Sequence, residues 1–387
     1  MNKLVSLEYL DDYSIEKLEQ AVEQGIERLN LTTLFKPKMK VLIKASLSCD
    51  VSPDKAETTH PSVVRAIVNY LSKYGISCVV ADSPFKKYNL TNLNSVYLNT
   101  GMLEMANLTT CELNHNLRTC NIKLPNGVAT KHLTVLDVIN DVDAIINVGK
   151  LKMDENLGCL AATSNIFGLI PGEMKTLVLN RLNSLKEYNN YIIDMFEALR
   201  EKVVLNVLDG IVALEAEKTP RMLNCLAMSE NNYALDAAVF DILNIKYENT
   251  LLKQSQDREL FNIDKPYKII GDKLEKFKVE DFSLIDFDTF SQIHKNKTLQ
   301  SGYFKVNQPR VVIDEKKCKG CSRCSKICPT NAILMKYDKK GELYADIDYK
   351  KCIFCNKCLT ACPYSVVTRK APHFYKQLMK EINKYNK

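Results

Sequence analysis

A run of four cysteines closing on proline occurs twice, as "CKGCSRCSKICP" from Cys318 to Pro329 and "CIFCNKCLTACP" from Cys352 to Pro363, offset by thirty-four positions. At that offset all eight cysteines and both prolines match, as do Ile313 with Ile347, Asp314 with Asp348 and Lys316-Lys317 with Lys350-Lys351, the mark of an internal duplication. Three thiolates at this spacing share one tight loop and reach three corners of a single iron–sulfur cube. A fourth ligand must come from elsewhere, and in two-cluster arrangements the cysteine before proline serves the other cube. The spacing predicts two 4Fe-4S clusters, one held by Cys318, Cys321, Cys324 and Cys362 and the other by Cys352, Cys355, Cys358 and Cys328. Ligand exchange ties the halves together, and metal holds a module with little apolar core of its own. Zinc sites use two separated Cys-x-x-Cys pairs, not three cysteines in succession.

The chain has 387 residues, 46% of them hydrophobic, enough for one main domain and a smaller module. Acidic residues (Glu8, Asp11, Asp12, Glu16) stand where a secretory signal needs an apolar stretch, and no run of eighteen apolar residues occurs, so a cytoplasmic protein without a membrane span is expected. Reduced thiols in that compartment argue against a disulfide framework. The remaining cysteines, Cys49, Cys78, Cys111, Cys120, Cys159 and Cys225, are scattered and read as buried inert thiols. Net charge is +7, but Arg310 to Lys387 carry 18 basic and 7 acidic residues, leaving −4 on the rest. A basic face suits an acidic partner or nucleic acid, and equally a solvated lysine-rich surface. Each cluster with its four thiolates adds about −2.

Apolar residues at Ile15, Leu18, Val22, Ile26 and Leu29 predict a helix over Ser14–Leu29. "MKVLIKASL" (Met39–Leu47) reads as a strand, "TTHPSVVRAIVNYLSKYG" as a helix opening at Pro61 and capped at Gly75, and "ISCVVADSP" as a second strand, the βαβ unit of a parallel sheet. A strand over Asp143–Lys152, a helix then turn in "AATSNIFGLIPG", a helix around Ile192–Leu199, a strand in "KVVLNVLDGIVAL" and a helix in "NYALDAAVFDILNI" continue the alternation. The fold class expected is α/β, a mostly parallel sheet covered by helices, over residues 1–305. A small α+β iron–sulfur domain follows over 306–370, then a C-terminal helix over 371–387. Asp264–Gln308 reads as a peripheral segment. Ligands in such sheets sit beyond the carboxyl ends of the strands.

Ile313–Val367 resembles a bacterial-type two-cluster ferredoxin domain, which implies low-potential single-electron transfer, a redox partner protein and, through oxygen-sensitive clusters, an anaerobic host. Free ferredoxins of this kind are typically acidic. The lysines here (Lys316, Lys317, Lys319, Lys350, Lys351) suit docking of an acidic donor or of the body itself. "VLIKASL…ETTHPSVVRAIVNYLSKYGISCVVADSP", "DAIINVGKLK…SNIFGLIPGEMK" and "LNVLDGIVALE…ALDAAVFDIL" resemble the prokaryotic domain-of-unknown-function family DUF362 over residues 38–245. That resemblance implies a fold distantly similar to lactate racemase and no established reaction.

The resemblance points to Lys44, His60, Asp82, Lys150, Lys152 and Asp209 as candidate catalytic residues, to Thr59, Ser83, Asn165 and Lys175 as candidate binding residues, and to Pro61, Gly168 and Asp236 as part of the pattern. His60 stands where an imidazole transfers a proton, binds metal, or simply caps a helix. Lys150 and Lys152 suit a carboxylate or phosphate, or alternate as solvated strand residues. Asp82 and Asp209 suit chemistry or turns, and Asp236 a helix start. The chain departs from the family pattern at Met153-Asp154, usually Thr-His, at Ser164, usually Lys, and at "EAEKTPRM" (215–222), usually glycine-rich. No phosphate-binding loop, dinucleotide fingerprint, zincin or nucleophile-elbow motif is present. Three readings stay open. One is electron transfer coupled to a redox reaction of a small-molecule substrate on the α/β domain. Another is a ferredoxin-like carrier docking a separate oxidoreductase. The third is a cluster-stabilised binding protein, with nucleic acid on the basic tail as one candidate ligand, although aromatic residues are sparse, Trp is absent and nothing resembles a stacking platform.

Overall fold

Short apolar runs become strands and the 3.6-residue patterns between them become helices, with β1 (Leu4–Tyr9) added ahead of the expected start. In α1 (Ile15–Arg28), Leu18, Val22 and Ile26 are fully buried, as their spacing on one face requires. The βαβ unit follows as β2 (Lys40–Ala45), α2 (Pro61–Ser72) and β3 (Ser77–Val80), with Pro61 at the first helical position. Gly75 turns the chain between helix and strand at φ 68°, a conformation that suits glycine. Next come α3 (Leu90–Asn99), α4 (Met102–Asn107), β4 (Glu112–Leu113) and the hairpin of β5 (Thr119–Lys123) and β6 (His132–Leu136). β7 (Ala144–Asp154) is buried along nearly its whole length, as a strand covered on both faces is, and β8 (Gly158–Leu160) folds back onto its end. The expected helix-then-turn is α5 (Ala162–Asn165), a 3-10 turn (Ile166–Leu169) and then a further helix, α6 (Gly172–Arg181). α7 (Leu185–Leu199), β9 (Val203–Leu214), β10 (Pro220–Ser229), α8 (Asn232–Ile242), α9 (Leu251–Asp257) and β11 (Lys268–Gly271) complete this part.

The computed structural model describes residues 2–154, 157–182, 184–284, 310–328, 330–338, 340–349, 351–352 and 357–370. They fall in two compact units, Met1–Ser291 and Gln292–Lys387. Cys355, Lys350 and the expected helix over 371–387 lie outside the described residues.

Among the described residues, the first unit has a main sheet in the order β11-β1-β10-β9-β7-β2-β3-β4, with β8 paired to β7, and the β5–β6 hairpin forms a separate two-stranded sheet. β9, β7, β2, β3 and β4 are mutually parallel neighbours. β10 runs antiparallel to both β9 and β1, because β9 and β10 are consecutive arms of a hairpin. The segment after Asp264, read as peripheral, supplies β11, a strand parallel to β1 at the sheet edge. The departure at 215–222 spans that hairpin's turn, where Lys218 takes φ 65° in place of a glycine.

In the second unit the duplication is visible in the backbone. β12 (Arg310–Ile313), α10 (Arg323–Ile327) and β13 (Ile333–Tyr337) recur as β14 (Leu343–Ile347), α11 (Lys357–Ala361) and β15 (Val367–Lys370). The halves exchange strands: β12 pairs antiparallel with β15, and β13 with β14. Its apolar core is small, built on Val311, Ile333, Ala345, Ile347, Val366 and Val367, with Cys318, Cys324, Cys328, Cys352, Cys358 and Cys362 packed around it.

Candidate functional sites

Cys318, Cys321, Cys324 and Cys362 line a single cavity, together with Ile313, Ala345 and Val367. Cys318 and Cys321 come from the loop before α10, Cys324 from the first turn of α10 itself, and Cys362 arrives from the other half just after α11. Burial raises the pKa of the Cys324 thiol, and the neighbouring Cys318 and Cys321 raise it further. An iron core of positive charge relieves that crowding of thiolates. At Cys362 burial also opposes ionisation, but backbone hydrogen bonds at residues 364 to 367 outweigh it and lower the pKa. Cys328, Cys352 and Cys358, half-buried, pack against the same core, and Cys328 Sγ accepts the Ala332 N–H at 3.2 Å. Among the described residues no three His, Cys, Asp or Glu side chains converge closely enough to hold a metal ion. A ring of thiols around a shared cavity fits a multi-iron core, and the apolar lining fits a group shielded from water.

The first unit carries a second constellation at the carboxyl ends of β2 and β3. Lys44, fully buried in β2, pairs with Asp82 at 3.2 Å and donates to the Ala45 carbonyl at 2.8 Å and to Asn165 Oδ1 at 3.3 Å. Asp82, two residues past β3, accepts the backbone N–H of Ser83 at 2.8 Å and that of Leu47. Burial lowers the Lys44 pKa against the pull of Asp82, and the charge of Lys152 lowers it further. Gly168 lies directly on this pair: a methyl there would come to 2.6 Å from Lys44 Cε and closer still to Asp82 Oδ1 and Lys44 Nζ. Ser83 donates its N–H to the Gly168 carbonyl at 3.0 Å, while its own carbonyl accepts from Lys175 Nζ. Lys175 is buried over the rings of Phe85 and Phe167. The hydroxyl of Ser83, fully buried, has no hydrogen-bond partner among the described residues. Asn165 Nδ2 reaches the Lys44 carbonyl and Asn147 Oδ1, and Asn147 continues to Asn206, a row of amides crossing β2, β7 and β9.

Lys150 and Asp209 face each other in register on β7 and β9. Lys150 Nζ donates to Asp209 Oδ2 at 2.9 Å and to the hydroxyl of Tyr13 at 3.0 Å. Tyr13 in turn donates to Asp209 Oδ1 at 2.8 Å. The backbone N–H of His60 completes the shell at 3.0 Å from Asp209 Oδ2. Burial, then the Asp209 charge and hydrogen bond, raise the Tyr13 pKa well above its usual value. Burial lowers the Lys150 pKa against the pull of Asp209. Both lysines of Lys-x-Lys are buried, 2% and 6% exposed, so the alternation does not carry them to solvent. Lys152 Nζ donates to Ser48 Oγ at 2.8 Å and to the Glu57 carbonyl at 2.6 Å, and Lys218 pairs with the Glu57 carboxylate at 3.2 Å.

His60 is the N-cap of α2, its Nδ1 accepting the Ser62 N–H at 3.2 Å, and its ring stacks on Tyr13 with centroids 3.8 Å apart. Thr59, fully buried, accepts the Ser46 N–H and donates to the Val148 carbonyl, both at 2.9 Å, fastening β2 to β7. Asp236 accepts the N–H groups of Ala162 and Thr163 at the start of α5, and burial lifts its pKa to about 7 against those hydrogen bonds. Ser164, where the family pattern has lysine, closes that turn on Ala161. Tyr13 and Glu57 belong to the constellation and escape sequence reasoning. Tyr13 lies in a polar loop ahead of α1, and no local pattern announces its reach of 196 residues to Asp209.

Comparison with known proteins follows this division. The 4Fe-4S dicluster domain matches residues 317–366. The chain is 27% identical over 267 residues to the thylakoid-associated protein sll1697 of Synechocystis sp., an alignment covering 67% of this chain and 80% of that protein. The lactate racemase apoprotein from Thermoanaerobacterium thermosaccharolyticum superposes with a TM-score of 0.39 at 14% identity, covering 60% of this chain and 55% of that one. The Domain of unknown function (DUF362) matches residues 41–241, more than half of the chain. The chain therefore belongs to the DUF362 family and carries a 4Fe-4S dicluster domain behind its α/β unit.

Proposed function

We propose that this is an iron–sulfur redox protein. It takes single electrons from, or gives them to, a partner protein through two clusters, and serves a redox reaction of a small molecule at the strand-end constellation. The observation that carries the reading is the double cysteine run, whose first three thiols share a cavity with Cys362 of the second. When bound, a 4Fe-4S cluster supplies one-electron exchange at low potential. Cys318, Cys321, Cys324 and Cys362 would hold one, and Cys352, Cys355, Cys358 and Cys328 the other. Ile313, Ala345, Val366 and Val367, which line that cavity, would shield the first cluster from water.

In the α/β unit, Lys152 lies close enough to both Lys44 and Lys150 for its charge to act on each. Buried cations gathered at strand ends favour an anionic substrate, a carboxylate or phosphate. Asp82, Asp209 and Glu57 hold them in position until such a group arrives. The lysines around the cysteine runs favour an acidic donor protein. Among the described residues no helix is long and apolar enough to cross a membrane. We retain the cytoplasm as the proposed location, and attachment to a membrane surface, which the relative's name suggests, as its alternative.

Anaerobic titration with dithionite tests the redox reading: bleaching of the visible absorption and reoxidation on return of oxidant are expected, and clusters that resist reduction contradict it. Reduction by an acidic donor protein should slow as ionic strength rises, and a rate indifferent to salt rejects the lysine docking.

A further inference from the structure

The contacts of His60 settle which of its nitrogens carries the proton. The Ser62 N–H donates to Nδ1 at 3.2 Å. Nδ1 therefore offers its lone pair, and in a neutral ring the hydrogen sits on Nε2. The ring cannot readily turn over. It is stacked on Tyr13 at 3.8 Å with 14° between planes, and its own backbone N–H is fixed on Asp209. Tyr13 is itself held by Asp209, Lys150 and the Val212 N–H. Nε2 has no protein partner among the described residues, and it is not among the buried unpartnered atoms.

We propose that His60 serves the strand-end site as a neutral Nε2–H donor to a carbonyl or carboxylate oxygen of the substrate, and not as a proton acceptor or metal ligand. The inference rests on reading that constellation as the working site of the α/β unit. Acting as base or ligand, Nε2 would have to present a lone pair, which moves the hydrogen to Nδ1. There it would face the Ser62 N–H donor to donor, and α2 would lose its cap. A neutral donor fixed at a helix start stabilises negative charge developing on oxygen without surrendering its proton. Burial, opposed by Asp209 and reinforced by Lys150, lowers the ring's pKa to about 4, so the neutral form persists through the physiological range.

The test is the ring's nitrogen spectrum in the full-length, anaerobically reconstituted protein labelled with 15N-histidine, the His60 signals identified by their loss in His60→Asn. A neutral ring protonated at Nε2, unchanged from about pH 5.5 to 8, is expected. A hydrogen on Nδ1, or titration near the ordinary value of about 6.5, overturns the proposal. Two variants check the cap independently. His60→Asn keeps a side-chain acceptor for Ser62 and should melt within about 1 °C of the wild type, whereas His60→Ala loses the cap and should melt about 2–4 °C lower. Equal melting of the two variants removes the premise. Dithionite reduction of the same wild-type sample reports separately on the redox reading: that reading can fail with the ring unchanged, and the tautomer can fail with reduction intact.

Discussion

Gly168→Ala isolates the packing of the Lys44–Asp82 pair from every backbone effect. Gly168 lies in a 3-10 turn, at no positive φ, so alanine is allowed there and on backbone grounds alone would add roughly 0.5–1 kcal/mol of stability. The side chain reverses that sign. A methyl at this position stands 2.6 Å from Lys44 Cε and overlaps Asp82 Oδ1 and Lys44 Nζ more deeply. Neither partner is the free end of a flexible side chain, because Asp82 is held by two backbone N–H groups and Lys44 by Ala45 and Asn165. Overpacking costs about 1–3 kcal/mol, and separating a buried ion pair about 3–5 kcal/mol. With the backbone gain subtracted, a loss of about 2–4 kcal/mol is expected, roughly 4–12 °C in melting temperature. Far-UV circular dichroism during heating measures it. Gly75→Ala is the contrasting control: no atom lies within 4 Å, and only its φ of 68° opposes the change, at about 1 kcal/mol. A Gly168→Ala protein that melts with the wild type would refute the claim that this glycine exists for the ion pair.

Asp236 carries a folded pKa of about 7, above its ordinary 3.8, so its stabilising effect is complete below about pH 4 and is lost as pH rises through 7. Asp236→Asn keeps the acceptor for Ala162 and Thr163 without the charge. Its stability relative to the wild type should climb by several kcal/mol between pH 4 and 8, and parallel urea-unfolding curves across that range would contradict the argument. Lys150→Met leaves Asp209 buried and charged, at a cost of about 3–5 kcal/mol, and adding Asp209→Asn should recover part of that loss. A double-mutant cycle that is simply additive would separate the two residues.

The βαβ unit was legible because β-branched runs, Pro61 and Gly75 each dictate local geometry; β2 and α2 lie within two or three residues of expectation, whereas β3 ends at Val80, before the "ADSP" of the expected run. β1, β10 and β11 were not. β1 mixes Ser6 and Glu8 with apolar residues, β10 follows a turn whose left-handed position is filled by Lys218 and not glycine, and β11 is four residues long. All three are placed by pairing with partners far along the chain, which local periodicity does not record. The candidate site was legible as residue types and not as geometry. Which lysine meets which carboxylate depends on the register of β7 against β9 and of β2 against β7. Tyr13 enters only because the loop before α1 passes over Asp209. The cysteine run is the opposite case: the expectation of iron–sulfur ligands rests on covalent spacing alone, and the strand exchange of β12 with β15 and β13 with β14 shows the two halves paired by hydrogen bonds.

The most direct test of the central claim is the iron and acid-labile sulfide content of anaerobically reconstituted protein, for the wild type and for Cys362→Ala. The wild type should hold about eight of each per chain and the variant about four, because removing one thiol from the second run empties the cavity lined by the first. A wild type that retains far fewer than eight irons after full reconstitution would contradict the account.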